Sequence, residues 1–266
     1  MVKPPTDLKA FTSLLEVMQA LRGPDGCPWD KEQTHRTLVP YAIEEAFELA
    51  EAIEAGDEAE TISELGDVLL QVVLHSEIAR QEKRFDVYDV IATLNEKMVR
   101  RHPHVFGDVA VSGIDDVWAN WKKIKDVEKA GKEKVEAFDI PKNLPALTRS
   151  SKIGSKTKGY RFDWENAEQV LMKVEEEIAE LKEAIRSGKM DEKEHELGDI
   201  LFSVAQVARH LKIEPEQALR VANQRFEKRF FKMKEIAEAQ GKNFSNLSSD
   251  ELESLWKQVK LALAKR

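Results

Sequence analysis

The sequence predicts an all-α protein made of two tandem, duplicated helical-bundle domains. Three observations carry that prediction. Breakers are scarce: 12 Gly and 9 Pro stand among 266 residues, of which 34% are charged and 42% hydrophobic, a balance that favours long helices over a turn-rich β fold. Apolar residues recur at helical spacing, as Ile62, Leu65, Leu69 and Val72 in one stretch and Leu197, Ile200, Leu201, Val204 and Leu211 in another. The chain also repeats itself. IEEAFELAEAIEAGDEAETISELGDVLL at 43–70 returns as EEEIAELKEAIRSGKMDEKEHELGDILF at 175–202, a shift of 132 residues. Glu44, Glu45, Glu48, Gly56, Glu64, Gly66 and Asp67 thereby recur as Glu176, Glu177, Glu180, Gly188, Glu196, Gly198 and Asp199. A period of that size marks a duplicated domain, since solenoid repeats run to only about 20–50 residues.

Taken in order, the N-terminal MVKPPTDLKAFTSLL lacks the apolar run of a signal peptide. No stretch anywhere approaches the roughly 18 apolar residues of a membrane span. With the single Cys27, this points to a soluble protein of the reducing cytoplasm. One cysteine also excludes an internal disulfide, a cysteine-based zinc cage and an iron–sulfur cluster. Next come two amphipathic helices with Gly56 between them as a stop. VFGDVAVSG at 105–113 is the one β-like piece and reads as a loop. Asn95–Arg101 faces Asn223–Arg229 at a shift of 128, so the second copy has lost four residues after Asp199. Trp121 with Lys125 echoes Trp256 with Lys260. A stretch rich in Lys, Ser, Gly and Pro over 126–159 reads as an exposed connector. The expected domains are 1–135 and 145–266, with 136–144 as linker, and the helices run to about 15–20 residues.

Overall charge narrows the function. Lys plus Arg number 41 against 49 Asp plus Glu, a net charge of −8, which disfavours a duplex nucleic-acid binder. The acids are concentrated in the repeated helices. At about 100° per residue, Glu44, Glu45 and Glu48 share one polar arc, and Glu64 and Asp67 share another. Gly56 lies eight residues from both Glu48 and Glu64, and Gly188 eight from both Glu180 and Glu196. An antiparallel hairpin at each glycine sets those acids about 12 Å from the turn, face to face. Four carboxylates then converge in each copy. A cluster of that kind beside an apolar stripe requires a cation, and all-oxygen ligation selects Mg²⁺ or Mn²⁺. A di-iron site would want Glu-x-x-His, and none of the clustered glutamates has a His three residues on. The plainer alternative is a solvated helix face, or a duplicated structural hairpin.

The second copy also carries a basic stretch: Arg225, Lys228, Arg229, Lys232 and Lys234, with only Glu227 and Glu235 against it. Arg225 and Arg229, at i and i+4, can present two guanidinium forks to phosphate oxygens; Lys97 and Arg101 have that spacing in the first copy. Trp256 and Lys260 share a helix face that either stacks a base and caps phosphates or, for the Trp, belongs to the core. No Walker or Rossmann glycine loop is present.

EExxE, a gap of 15 residues, then ExGD, twice in one chain, resembles the MazG family of nucleoside triphosphate pyrophosphohydrolases. GPDGCPWDKEQTH (23–35), RRHPHVFGD (100–108), VWANWKKIK (117–125), FDWEN (162–166) and ANQRFEKRF (222–230) extend the resemblance to nearly the whole chain. It implies an all-α, dimeric dUTPase-like bundle and Mg²⁺-dependent cleavage of NTPs and dNTPs to the monophosphate and pyrophosphate. The implied metal ligands are Glu177, Glu180, Glu196 and Asp199, with counterparts Glu45, Glu48, Glu64 and Asp67. Nucleotide contacts fall on Arg225, Lys228, Arg229, Trp256 and Lys260, and on Lys173 and Lys193. Glu176 is the candidate base for the attacking water, while Arg225, Arg229 and Lys260 stabilise the departing pyrophosphate. The denser cations favour the second copy as the working one. Arg225 stands where the family often has Lys, and KIGSKTKGYRF (152–162) departs from the family form, so no role is carried to it. Two other readings are a narrow-specificity dNTP hydrolase and a non-catalytic helical module that grips a partner protein.

Overall fold

The computed structural model describes residues 3–129 and 138–264. The chain divides into two compact units, Met1–Lys132 and Glu133–Arg266. No strand occurs among the described residues, and none of their helices is long and apolar enough to cross a membrane.

Unit 1 holds α1 (Phe11–Leu21), α2 (Pro28–Glu32), α3 (Val39–Ala55), α4 (Glu58–Gln81), α5 (Val87–Arg101), α6 (Pro103–Phe106) and α7 (Ile114–Lys129). The α3–α4 hairpin forms because Gly56 adopts φ 70°, a left-handed C-cap that Gly takes without a Cβ clash. Asp57 then starts α4, its Oδ1 accepting the Glu60 N–H at 3.1 Å. The far half of α4 packs on α1 through a core of Met18, Leu38, Val73, Leu74 and Ile78. Val105 and Phe106 of the expected 105–113 loop close the short α6, and the rest is loop.

Unit 2 holds α8 (Ala146–Thr157), α9 (Ala167–Ser187), α10 (Met190–His210), α11 (Pro215–Ala239) and α12 (Ser249–Ala264). The hairpin recurs: Asn166 caps α9 by accepting the Gln169 N–H at 3.0 Å, and Gly188 ends it at φ 80°. α11 and α12 pack on each other around Met233, Ala237, Leu255 and Val259. α8 meets α10 at Gly154, where a Cβ would collide with the side chain of Gln206. Gln206 is fully buried and donates to Ser150 O at 2.8 Å.

Three features differ from the sequence reading. The longest helices exceed the expected length, with 24 residues in α4 and 25 in α11. The 126–159 stretch is no plain connector, because α7 runs into it and Ala146–Thr157 is a packed helix; its polar residues face outward while Gly154 permits the close approach. Of the expected 136–144 linker, residues 136 and 137 lie outside the described residues, and Ile140 is buried. The third difference concerns the apolar stripe beside the acids. Ile62 is 67% exposed and Leu197 50%, and Leu65, Leu69, Leu201 and Val204 are also exposed.

Candidate active site

Each hairpin gathers three carboxylates. Glu45 and Glu48 lie one turn apart on α3 and Glu64 opposite them on α4, with one oxygen from each within 4.8 Å of the others. Glu177 and Glu180 on α9 meet Glu196 on α10 under the same limit. Glu64 and Glu177 are the buried members, and the Glu64 Oε2 has no hydrogen-bond partner. Burial raises the Glu64 carboxyl above its ordinary pKa, and the charges of Glu48 and Asp67 add to the rise. Glu45 is raised in the same way, by burial first and then by Asp67 and Glu48.

The fourth acid does not join either triad. Asp67 and Asp199 sit one turn beyond Glu64 and Glu196 and are not among the acids whose oxygens lie within 4.8 Å of one another. Asp67 is near enough to act on Glu45 and Glu64 through its charge. Asp199 Oδ2 lies 3.4 Å from His195 Nε2. The expected convergence of four acids is therefore a convergence of three, with an aspartate at the rim.

Around these like triads the cations differ. Lys173 Nζ lies 2.7 Å from Glu177 Oε1 and 2.9 Å from Glu176 Oε1. It holds the Glu177 carboxyl below its ordinary pKa. Glu180 is pushed up, chiefly because it hydrogen-bonds to Glu177, with burial and Glu196 adding. Lys193 Nζ donates to Gly188 O at 3.3 Å, at the tip of the hairpin. At the 132-residue shift unit 1 has Tyr41 and Thr61 in place of these lysines. That difference was open to view in the sequence, and aligning the two copies position by position would have found it.

On α11, Arg225 and Lys228 are exposed. Arg229 lies over the Trp256 ring at 5.7 Å, and its buried Nε has no hydrogen-bond partner. Trp256 also meets Phe226 at 5.1 Å and flanks the α11–α12 core, while Lys260 is exposed one turn on. Among the described residues, no hydrogen bond or ion pair joins Arg225, Lys228, Arg229 or Lys260 to the acids. In unit 1 the counterparts of Lys228 and Arg229 are spent on an acid of their own chain. Arg100 and Arg101 both reach Glu128, at 2.7 and 2.6 Å, and the two guanidinium groups hold its carboxyl down at about 2.

Comparison with known proteins places both hairpins within one family. Residues 33–106 and 165–233 each match the MazG nucleotide pyrophosphohydrolase domain. The nucleoside triphosphate pyrophosphohydrolase/pyrophosphatase MazG of Thermotoga maritima is 44% identical over 94% of this chain and 95% of its own. The nucleoside triphosphate pyrophosphohydrolase of Escherichia coli K12 is 43% identical over 93% of this chain and 95% of its own. Bacillus subtilis YabN is 44% identical over 94% of this chain and 51% of its own. The two matched ranges take in both acidic hairpins, and the chain belongs to the MazG family.

Proposed function

We propose that the chain hydrolyses nucleoside triphosphates, NTPs and dNTPs alike, to the monophosphate and pyrophosphate, with Mg²⁺ or Mn²⁺ at the acidic triads and turnover in unit 2. The observation that carries this reading is the carboxylate triad of unit 2 with Lys173 set against it and Arg229 left without an acid partner, where Arg101, its unit 1 counterpart, is held by Glu128. The triad fits a hard divalent ion: its donors are all oxygen, and burial raises Glu64 and a hydrogen bond to Glu177 raises Glu180, with neighbouring carboxylate charges adding to both. In unit 2, Glu177, Glu180 and Glu196 would hold the ion, with Asp199 completing the set; in unit 1, Glu45, Glu48, Glu64 and Asp67 are the counterparts. When bound, the ion supplies charge neutralisation and Lewis-acid activation of the phosphoryl group and water.

The chain's own residues do the rest. Glu176, exposed beside Glu177, accepts the proton of the attacking water at its carboxylate. Lys173 is the mobile cation of the site, able to swing from Glu177 to a phosphate oxygen. Lys193, Arg225, Lys228, Arg229 and Lys260 bind the polyphosphate, and the arginines with Lys260 stabilise charge on the departing pyrophosphate. Trp256 holds Arg229 in place by its ring face. Water adds to the α-phosphorus and the α–β anhydride bond breaks, so one triphosphate gives one monophosphate and one pyrophosphate.

The exposed apolar stripes support a homodimer, in which a second copy covers Leu197, Leu201 and Val204 beside the acids. The test of the activity is product analysis on a panel of NTPs and dNTPs. Pyrophosphate released with Mg²⁺ and abolished by EDTA is the expected result; orthophosphate release, or turnover unaffected by EDTA, overturns the reading.

A further inference from the structure

One cation already stands against the unit 2 acids, and it belongs to the chain. Lys173 lies one turn before Glu177 on α9, with its Nζ 2.7 Å from Glu177 Oε1 and 2.9 Å from Glu176 Oε1. Glu177 is the buried acid of this triad, 5% exposed, and a carboxylate so placed needs a positive partner before any ion arrives. Lys173 is that partner. Its hydrogen bonds to Glu177 and Glu176 hold the ammonium well above its ordinary pKa, and the same contact draws Glu177 down. Unit 1 has no equivalent. At the 132-residue shift Tyr41 takes the place of Lys173, and its ring packs edge-on to Trp29 at 5.8 Å. Among the described residues no ion pair reaches Glu45, Glu48 or Glu64, and the buried Glu64 Oε2 has no hydrogen-bond partner. Burial and neighbouring carboxylates raise both Glu45 and Glu64. Two triads alike in their acids therefore start from opposite electrostatic states.

An oxygen that a lysine holds is one that an ion must share or win. Mg²⁺ binds carboxylate oxygens at about 2.1 Å, so an ion on Glu177 Oε1 would stand no more than about 5 Å from Nζ in its present place. Two cations that close repel strongly in a half-buried site. The ion enters readily only when the ammonium leaves. The flexible four-carbon stem of a lysine permits that movement, and a phosphate oxygen offers the ammonium another charge-assisted partner.

We propose that Lys173 is a resident counter-ion of the unit 2 triad, which makes uptake of the divalent ion and of the triphosphate mutually dependent there, while the unit 1 triad takes its ion alone. The inference rests on the metal-dependent hydrolase reading above. The triphosphate brings the negative charge that releases the lysine, and the released lysine adds a contact to the triphosphate. Each ligand thus tightens the other by the same factor. Free ion at low concentration fills unit 1 and leaves unit 2 held by its own lysine.

The experiment titrates the full chain with Mn²⁺ and reads the free ion by electron paramagnetic resonance. It is run with and without a non-hydrolysable α,β-methylene triphosphate, whose own Mn²⁺ binding is subtracted. The wild type should bind one Mn²⁺ that Glu48→Gln removes, and a second, about tenfold weaker, that Glu180→Gln removes. The analogue should tighten the second about tenfold and leave the first unchanged. Lys173→Gln should bring the second constant to within about threefold of the first without the analogue, and abolish the tightening. Lys173→Arg, which keeps the charge, should behave as wild type. Unchanged Mn²⁺ binding in Lys173→Gln overturns the proposal even in a chain that releases pyrophosphate, as do equal constants for the two ions in the wild type. The expected Mn²⁺ binding in a chain that releases no pyrophosphate fails the hydrolase reading and leaves the counter-ion standing. A chain that binds no Mn²⁺ takes both down.

Discussion

The two hairpins present the same acids on the same scaffold and differ in the cations around them. In unit 1, Glu45, Glu48 and Glu64 stand without a lysine beside them, and Arg100 and Arg101 are bound to Glu128. In unit 2, Lys173 touches the triad, and Arg225 and Arg229 have no acid partner. The lesson is that a carboxylate cluster alone does not define a triphosphate site. On the proposed function, unclaimed positive charge within reach of the polyphosphate is what would separate a reaction centre from a metal-binding scaffold.

The largest effect tests that asymmetry directly. Glu180→Gln should lower kcat by three orders of magnitude or so, and Glu48→Gln by less than about threefold; equal losses in steady-state assays would erase the distinction between the units. Next comes Arg229→Ala, with an expected 10- to 100-fold loss in kcat/KM, against a change within about twofold for Arg101→Ala. A gain of function follows in size. Glu128→Gln releases Arg100 and Arg101, so in the Glu180→Gln background it should raise residual turnover several-fold, and adding Tyr41→Lys should raise it further. Failure of the double variant to exceed Glu180→Gln alone would overturn the idea that the pairing of Arg100 and Arg101 with Glu128 keeps unit 1 from turning over.

The smallest expected effect is thermal. Glu45 and Glu64 are raised above ordinary carboxylate values. A group raised on folding contributes stability below its unfolded pKa and loses it as pH climbs through the folded value. The ion-free cluster is therefore least comfortable at neutral and alkaline pH. Mg²⁺ should raise the melting temperature by a few degrees near pH 8 and by less near pH 5, and Glu64→Gln should shrink that difference. A Mg²⁺ shift equal at the two pH values in scanning calorimetry would remove the electrostatic account.

Much of the architecture was legible because it is local. Gly56 and Gly188 end their helices for a reason visible in one residue, and the eight-residue spacing alone brings Glu48 to Glu64 and Glu180 to Glu196. What escaped depends on contacts distant in the chain. The Arg101–Glu128 pair spans separate helices: Arg101 read as one of a phosphate-binding pair with Lys97, and nothing in the sequence marked Glu128 as its partner. That Asp67 and Asp199 stand outside the close groups of three is likewise not visible in angular arithmetic along one helix. Residues 146–157 passed for connector because their composition is polar, whereas the helix is defined by Gly154 lying against a buried Gln206. The outward face of Leu65 and Leu201 could not be foreseen from periodicity, which marks a stripe and not what covers it.

Each hairpin is closed by a single left-handed glycine midway between its facing glutamates, and that symmetry limits how the gene can drift. One codon inserted in either arm would slide its acids about 1.5 Å and swing them about 100° off the triad. Substitutions can accumulate there, but changes of length cannot. The four residues that separate the copies went missing beyond Asp199, where a deletion leaves the facing acids in step.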